Sequence, residues 1–255
     1  MNGIYDSTID DILSNYTAHM DWLTRNKINP LGWDYNTVYA SNAEVNDSRF
    51  DDMVLDLYLR KIKVGIAWSS QSEVDNAIAY NARQTDYRKK LSHMVSELET
   101  YGNANCTVAQ YRDFLKNNYP KINAAGMKSY VYDGWNYNFD ISVPYSDGIL
   151  LHAYRTAIQM LIKDDAWDYW VKAGNDRLIG ITAAAKAAGK IFEVSLLTSC
   201  EPSFGQMYYA THGWNDELTM IKDSFYRLAT PDMKQWLIID GQYIFKASDM
   251  KISKP

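Results

Sequence analysis

Residues 130–143, Tyr-Val-Tyr-Asp-Gly-Trp-Asn-Tyr-Asn-Phe-Asp-Ile-Ser-Val, carry the sharpest pattern in the chain. From Trp135 to Val143, apolar and polar residues alternate at every position. A period of two puts one set of side chains on one face of a strand, and no helix has that repeat. Just before it stands Asp133-Gly134, the dipeptide favoured in a type I′ turn, where both central residues need positive φ. The pattern predicts a β-hairpin with Tyr130-Val131-Tyr132 as its first strand. Trp236–Ile239, Asp240-Gly241 and Gln242–Phe245 repeat the arrangement and predict a second.

Outward from this passage the spacing reads as helical. Ser7 caps a segment to about Asn26 with Ile9, Ile12, Leu13, Tyr16, Met20 and Leu23 on one face. Ser48 caps another, carrying Phe50, Met53, Val54, Leu57, Tyr58 and Ile62. Ser70-x-x-Glu73 is a capping box that opens the longest predicted helix, to about Tyr101, through Tyr87, Leu91, Met94, Val95, Leu98 and Tyr101. Thr107-x-x-Gln110 opens the next, ending near Pro120. Asp147, Asn175 and Thr230-Pro231 mark further starts. Residues 29–47 show no sustained period and read as a long loop anchored by Trp33, Tyr35 and Tyr39. The expected fold is therefore mainly α, a bundle of about seven helices with one or two β-hairpins. Without repeats or linkers, residues 1–255 are expected to form a single domain, with position 144 as the alternative seam.

Composition narrows the function classes. The chain has 255 residues, 47% hydrophobic and 22% charged, with a formal net charge of −5, too apolar to stay disordered. That charge argues against a broad nucleic-acid surface, which needs clustered cations to neutralise phosphates. The short runs Arg60-Lys61-x-Lys63 and Arg88-Lys89-Lys90 read as solvated faces. Cys106 and Cys200 are two isolated thiols, which suggests a reducing compartment. Met1–Asp6 lacks a basic and an apolar signal region. The expected location is cytoplasmic or within a virus particle, without a signal peptide, and no membrane span is expected: Leu178–Leu197 is interrupted by Lys186, Lys190 and Glu193.

Reactive constellations are sparse. With only His19, His93, His152 and His212, a metal site has little material, and neither a metal nor another cofactor is expected. His93 and Glu97 sit four apart on the predicted helix, a spacing that an ordinary surface pair explains. Cys200 beside His152 or His212 matches no nucleophile motif, and no GxGxxG, Walker, GxSxG or HExxH pattern occurs. One enzymatic alternative remains, a lysozyme-like glycoside hydrolase with paired carboxylates. Glu97 or Glu99 would supply the acid, Asp133 or Asp140 its partner, and Tyr132, Trp135 and Tyr137 sugar-stacking surfaces. A small-molecule or protein-binding module is the second alternative.

The first expectation is a structural one. The chain has 20 Tyr and 8 Trp, residues that combine apolar area with a hydrogen-bonding tip and often anchor interfaces. Helices with a projecting hairpin look like the connector and ring subunits of tailed-phage particles. The sequence thus suggests a homo-oligomeric virion component that contacts itself and other structural proteins. Trp33, Tyr35, Tyr39, Tyr130, Tyr132, Trp135 and Tyr137 are its interface candidates, and no catalytic residue is assigned on this reading.

Overall fold

In a computed structural model, residues 2–7, 36–40, 42–100, 105–133, 137–152, 165–198 and 226–244 are described. Their strands are β1 (Asn2–Ser7), β2 (Asn36–Ala40), β3 (Ile62–Trp68), β4 (His93–Ser96), β5 (Lys128–Asp133), β6 (Gly148–His152), β7 (Phe192–Thr198) and β8 (Leu237–Ile244). All pair in parallel in chain order, and β8 returns to β1 to close a barrel. The helices are α1 (Phe50–Leu59), α2 (Gln71–Arg83), α3 (Val108–Ala124), α4 (Phe139–Ser142), α5 (Asp165–Ala188) and α6 (Pro231–Trp236). Parallel neighbours require crossover connections, and these helices lie in the crossovers. The architecture is a TIM-barrel-like α/β fold.

The helical bundle with hairpins is thereby overturned, for a physical reason. A barrel strand is covered by helices outside and by other strands' side chains inside, so it reads as an unbroken apolar run. Val64-Gly65-Ile66-Ala67-Trp68 in β3 is such a run, buried on both faces. In β4, Met94 joins the layer under the helices while Val95 lies outside that cluster, yet both are fully buried. Their spacing from Leu91 and Leu98 imitated a helix face. The predicted long helix instead ends at Arg83 and is followed by β4.

The two hairpins fail in different ways. β5 ends at Asp133 and pairs in parallel with β4 and β6, so nothing folds back on it. In the alternating stretch beyond, Tyr137 has φ 53, and Ile141 and Ser142 both donate to the Asn138 carbonyl at 2.9 Å. These bonds close the single turn α4. Asp240-Gly241 lies inside one continuous strand, β8. There Val194 pairs Ile239 and Ser195 pairs Gly241, leaving Asp240 as the extra residue of a bulge.

Single capping residues misled as periodicity did, since Ser48 makes no side-chain cap, Asp147 precedes β6 and Asn175 lies inside α5, but the paired signals held. Glu73 accepts from Ser70 N at 2.8 Å at the start of α2. Thr107 N donates to Gln110 Oε1 at 2.9 Å, and Gln110 N returns to Thr107 Oγ1 at 3.2 Å. That helix runs past Pro120 to Ala124. Thr230 caps α6 through Met233 N at 3.2 Å. The first predicted helix lies outside the described residues, apart from Ser7, which ends β1. The expected loop 29–47 contains β2 and a 3-10 turn, Asn42–Asn46.

The barrel interior is polar at its N-terminal end. Lys128 of β5 pairs with Glu193 of β7 at 2.6 Å, and the Tyr130 hydroxyl donates to the same carboxylate. These side chains meet across β6 because Gly148 leaves room: a Cβ there would lie 2.5 Å from Tyr130 Cε1. The His93 ring sits 5.5 Å from the Tyr130 ring. Burial, with Lys63 and Lys128 nearby, pushes the His93 imidazole down to about 3, so it is neutral at ordinary pH.

Candidate functional site at the C-terminal mouth

The strands of a parallel barrel deliver side chains to one mouth, where loops and strand ends form sites. At that end of β4, Glu97 N donates to Trp68 O at 2.8 Å, continuing the ladder with β3. Met94 and Leu98 belong to the layer beneath the helices, and Ser96, buried between them, accepts from Leu98 N at 3.3 Å. Strand alternation therefore turns Glu97 to the lumen side, with His93 and Val95. Glu97 is half-buried.

The next residues are held by Asn105. Its Oδ1 accepts from Glu99 N at 2.9 Å, and its Nδ2 donates to Glu97 O at 3.1 Å. Asn105 N also donates to Glu99 O at 3.0 Å, and Cys106 N and Sγ point to that same carbonyl. The β5–β6 connection joins in, because Asn138 Nδ2 donates to Thr100 Oγ1 at 2.8 Å. Burial raises the Glu99 carboxyl above its ordinary value. The Cys106 thiol is pushed up as well, first by burial and then by Glu99, which makes it a poor nucleophile.

Of the acids expected from sequence, Glu97, Glu99 and Asp133 all belong to the C-terminal end of the barrel, Asp133 as the last residue of β5. Asp140 is exposed on the first turn of α4. His93 and Glu97 do share a face, but of a strand. At roughly 3.3 Å per residue their backbones stand about 13 Å apart, too far for one ion. Among the described residues no cluster of three or more His, Cys, Asp or Glu side chains fits a metal. His152 ends β6, while Cys200, His19 and His212 lie outside the described residues.

The aromatic candidates separate. Tyr130 is 1% exposed inside the barrel and offers no surface to a partner. Tyr132 is half-buried near the end of β5, and Tyr137 is 44% exposed in the loop after it, its ring 5.8 Å from that of Phe139. Tyr39 lies in β2; Trp33, Tyr35 and Trp135 are outside the described residues. Asn105 was missed because its partners are backbone atoms that no side-chain spacing announces. No described helix is long and apolar enough to cross a membrane.

No protein-family model and no curated protein matches the sequence. Solved structures do share the fold. One is a modular endo-β-1,4-mannanase from Cellulomonas fimi, described among glycoside hydrolase family 26 mannanases. It has a TM-score of 0.52 and 10% identity, covering 84% of this chain and 58% of that one. Another is an engineered protein with a TM-score of 0.50 and 11% identity, covering 96% of this chain and 63% of that one. The chain thus spans about three fifths of the length of these structures. At such identity the likeness establishes an α/β barrel shared with a glycosidase. The phage-particle reading is corrected with it, since that reading needed helices and projecting hairpins, and the molecule is a closed parallel barrel.

Proposed function

We propose that this protein is a glycoside hydrolase acting at the C-terminal mouth of the barrel. Glu99 is the proton donor and Glu97 the second carboxylate. The carrying observation is a pair of glutamates two residues apart at the end of β4, the first on the lumen side. In extended chain, residues two apart turn their side chains to the same side with backbones roughly 6.6 Å apart, which lets both carboxyls reach toward one glycosidic bond. Glycoside cleavage needs one carboxyl protonated and one ionised, and burial biases Glu99 toward the protonated form. Glu99 gives its proton to the glycosidic oxygen as the bond from that oxygen to the anomeric carbon breaks. The Glu97 carboxylate stabilises the positive charge developing on the sugar. Water then adds to the anomeric carbon and its proton returns to a carboxylate. Tyr132 and Tyr137 supply apolar faces for sugar rings.

The barrel shared with a β-1,4-mannanase makes β-1,4-linked hexose polymers the first substrates to try. Release of reducing ends from soluble β-1,4-mannan and β-1,4-glucan tests the proposal. We expect turnover by the wild type and a loss of about 10²–10⁴ in Glu99→Gln, the usual scale for removing a general acid. Absence of turnover on both polymers, or full activity in Glu99→Gln, overturns it.

A further inference from the structure

We infer that Asn105 is a positioning residue that fixes the directions of both glutamates through their backbone; this rests on the hydrolase reading above. Its amide uses both ends on the segment Glu97–Glu99, accepting at one peptide and donating at the other. The two bonds straddle Leu98, whose side chain is anchored in the layer beneath the helices. With three consecutive residues held from two sides, neither peptide plane can rotate without breaking a bond or lifting Leu98 out of the core. The orientation of the amide is settled by its neighbours, an N–H facing the oxygen and a carbonyl facing the NH₂. Asn105 is itself exposed, so these bonds add little to global stability. Their effect falls on geometry: a carboxyl misplaced by about 1 Å can lose a hundredfold in rate. Thr100, tied to Asn138, extends the same hold to the loop carrying Tyr137.

The test compares wild type, Asn105→Ala, Asn105→Asp and Glu99→Gln on two β-mannobiosides, one with a methyl and one with a 2,4-dinitrophenyl leaving group. A dinitrophenolate departs without proton donation, so only the methyl substrate depends on a well-placed acid. We expect Asn105→Ala to lower kcat on the methyl substrate 10- to 100-fold. KM should stay within about threefold, and the dinitrophenyl substrate, which needs Glu97 in place but no proton donor, should lose clearly less than the methyl one. Asn105→Asp keeps the acceptor for Glu99 N but loses the donor to Glu97 O, and should fall between. In parallel, ¹³C NMR titration of the Glu99 carboxyl should move toward ordinary carboxylate values in Asn105→Ala. If wild type and Glu99→Gln behave as proposed while Asn105→Ala keeps its kcat, the positioning role is overturned and the hydrolase reading stands. If the wild type cleaves neither substrate, the hydrolase reading falls. The titration then decides the clamp alone, and an unmoved Glu99 overturns it.

Discussion

The two ends of the barrel use glutamate in opposite ways. At the N-terminal end, Glu193 is occupied through its carboxylate, taking Lys128 on one oxygen and Tyr130 on the other. At the C-terminal end, the bonds that hold Glu99 fall on its peptide N–H and carbonyl. A carboxylate saturated by neighbours staples strands together. One held by its backbone keeps its oxygens for a ligand. The contrast follows the division of labour in parallel barrels, where one end serves stability and the other chemistry.

Exchanging each glutamate for its amide breaks the comparison most directly. Glu99→Gln should remove about 10²–10⁴ of turnover and leave Tm nearly unchanged, read by reducing-end assay and calorimetry. Glu193→Gln should do the reverse, lowering stability by about 2 kcal/mol in urea because Lys128 loses its anionic partner and the Tyr130 hydroxyl its charged acceptor. That figure is kept modest because the Lys128 side chain is 39% exposed and partly screened by solvent. Equal effects of both variants on activity and Tm would erase the distinction.

Gly148→Ala sharpens the same point. The added methyl would meet the Tyr130 ring at 2.5 Å and Glu193 Cβ at 2.9 Å. Overpacking of this kind costs about 1–3 kcal/mol, seen as a lower urea midpoint at constant m. The pH profile adds a third arm. His93 is held at about 3 in the fold against 6.5 when unfolded, so the unfolded chain binds the extra proton between those values. Its contribution is fully present above about 6.5 and is lost as pH falls through that window, at no more than about 1.4 kcal/mol per pH unit. His93→Asn should flatten this part of a plot of Tm against pH. The smallest effect is expected at Thr107→Ala, which removes the α3 cap at the mouth and costs about 1 kcal/mol.

Of the helix starts announced locally, the two capping boxes and the Thr-Pro start were realised, whereas Ser48 makes no cap, Asp147 leads into β6 and Asn175 falls inside α5. Ser70 with Glu73, Thr107 with Gln110, and Thr230 before Pro231 each begin a helix, because a cap is decided by bonds across three residues. Glu97, Glu99 and Asp133 were candidate acids on a helix end facing a hairpin, and the barrel brings them to one end for a different reason, their place at the ends of β4 and β5. Whether a side chain faces lumen or helix was not legible. Met94 and Val95 are equally apolar, and only closure of the ring assigns them to different faces. The cleanest alternation, Trp135 to Val143, misled for the complementary reason. Pattern records where apolar residues recur, whereas a strand also needs partners for its backbone, and the Asn138 carbonyl drew those donors into a turn. The paired caps were thus written in neighbouring residues. The barrel, the sidedness of Glu97 and the grip of Asn105 arose only when distant strands supplied hydrogen bonds that no local sequence contains.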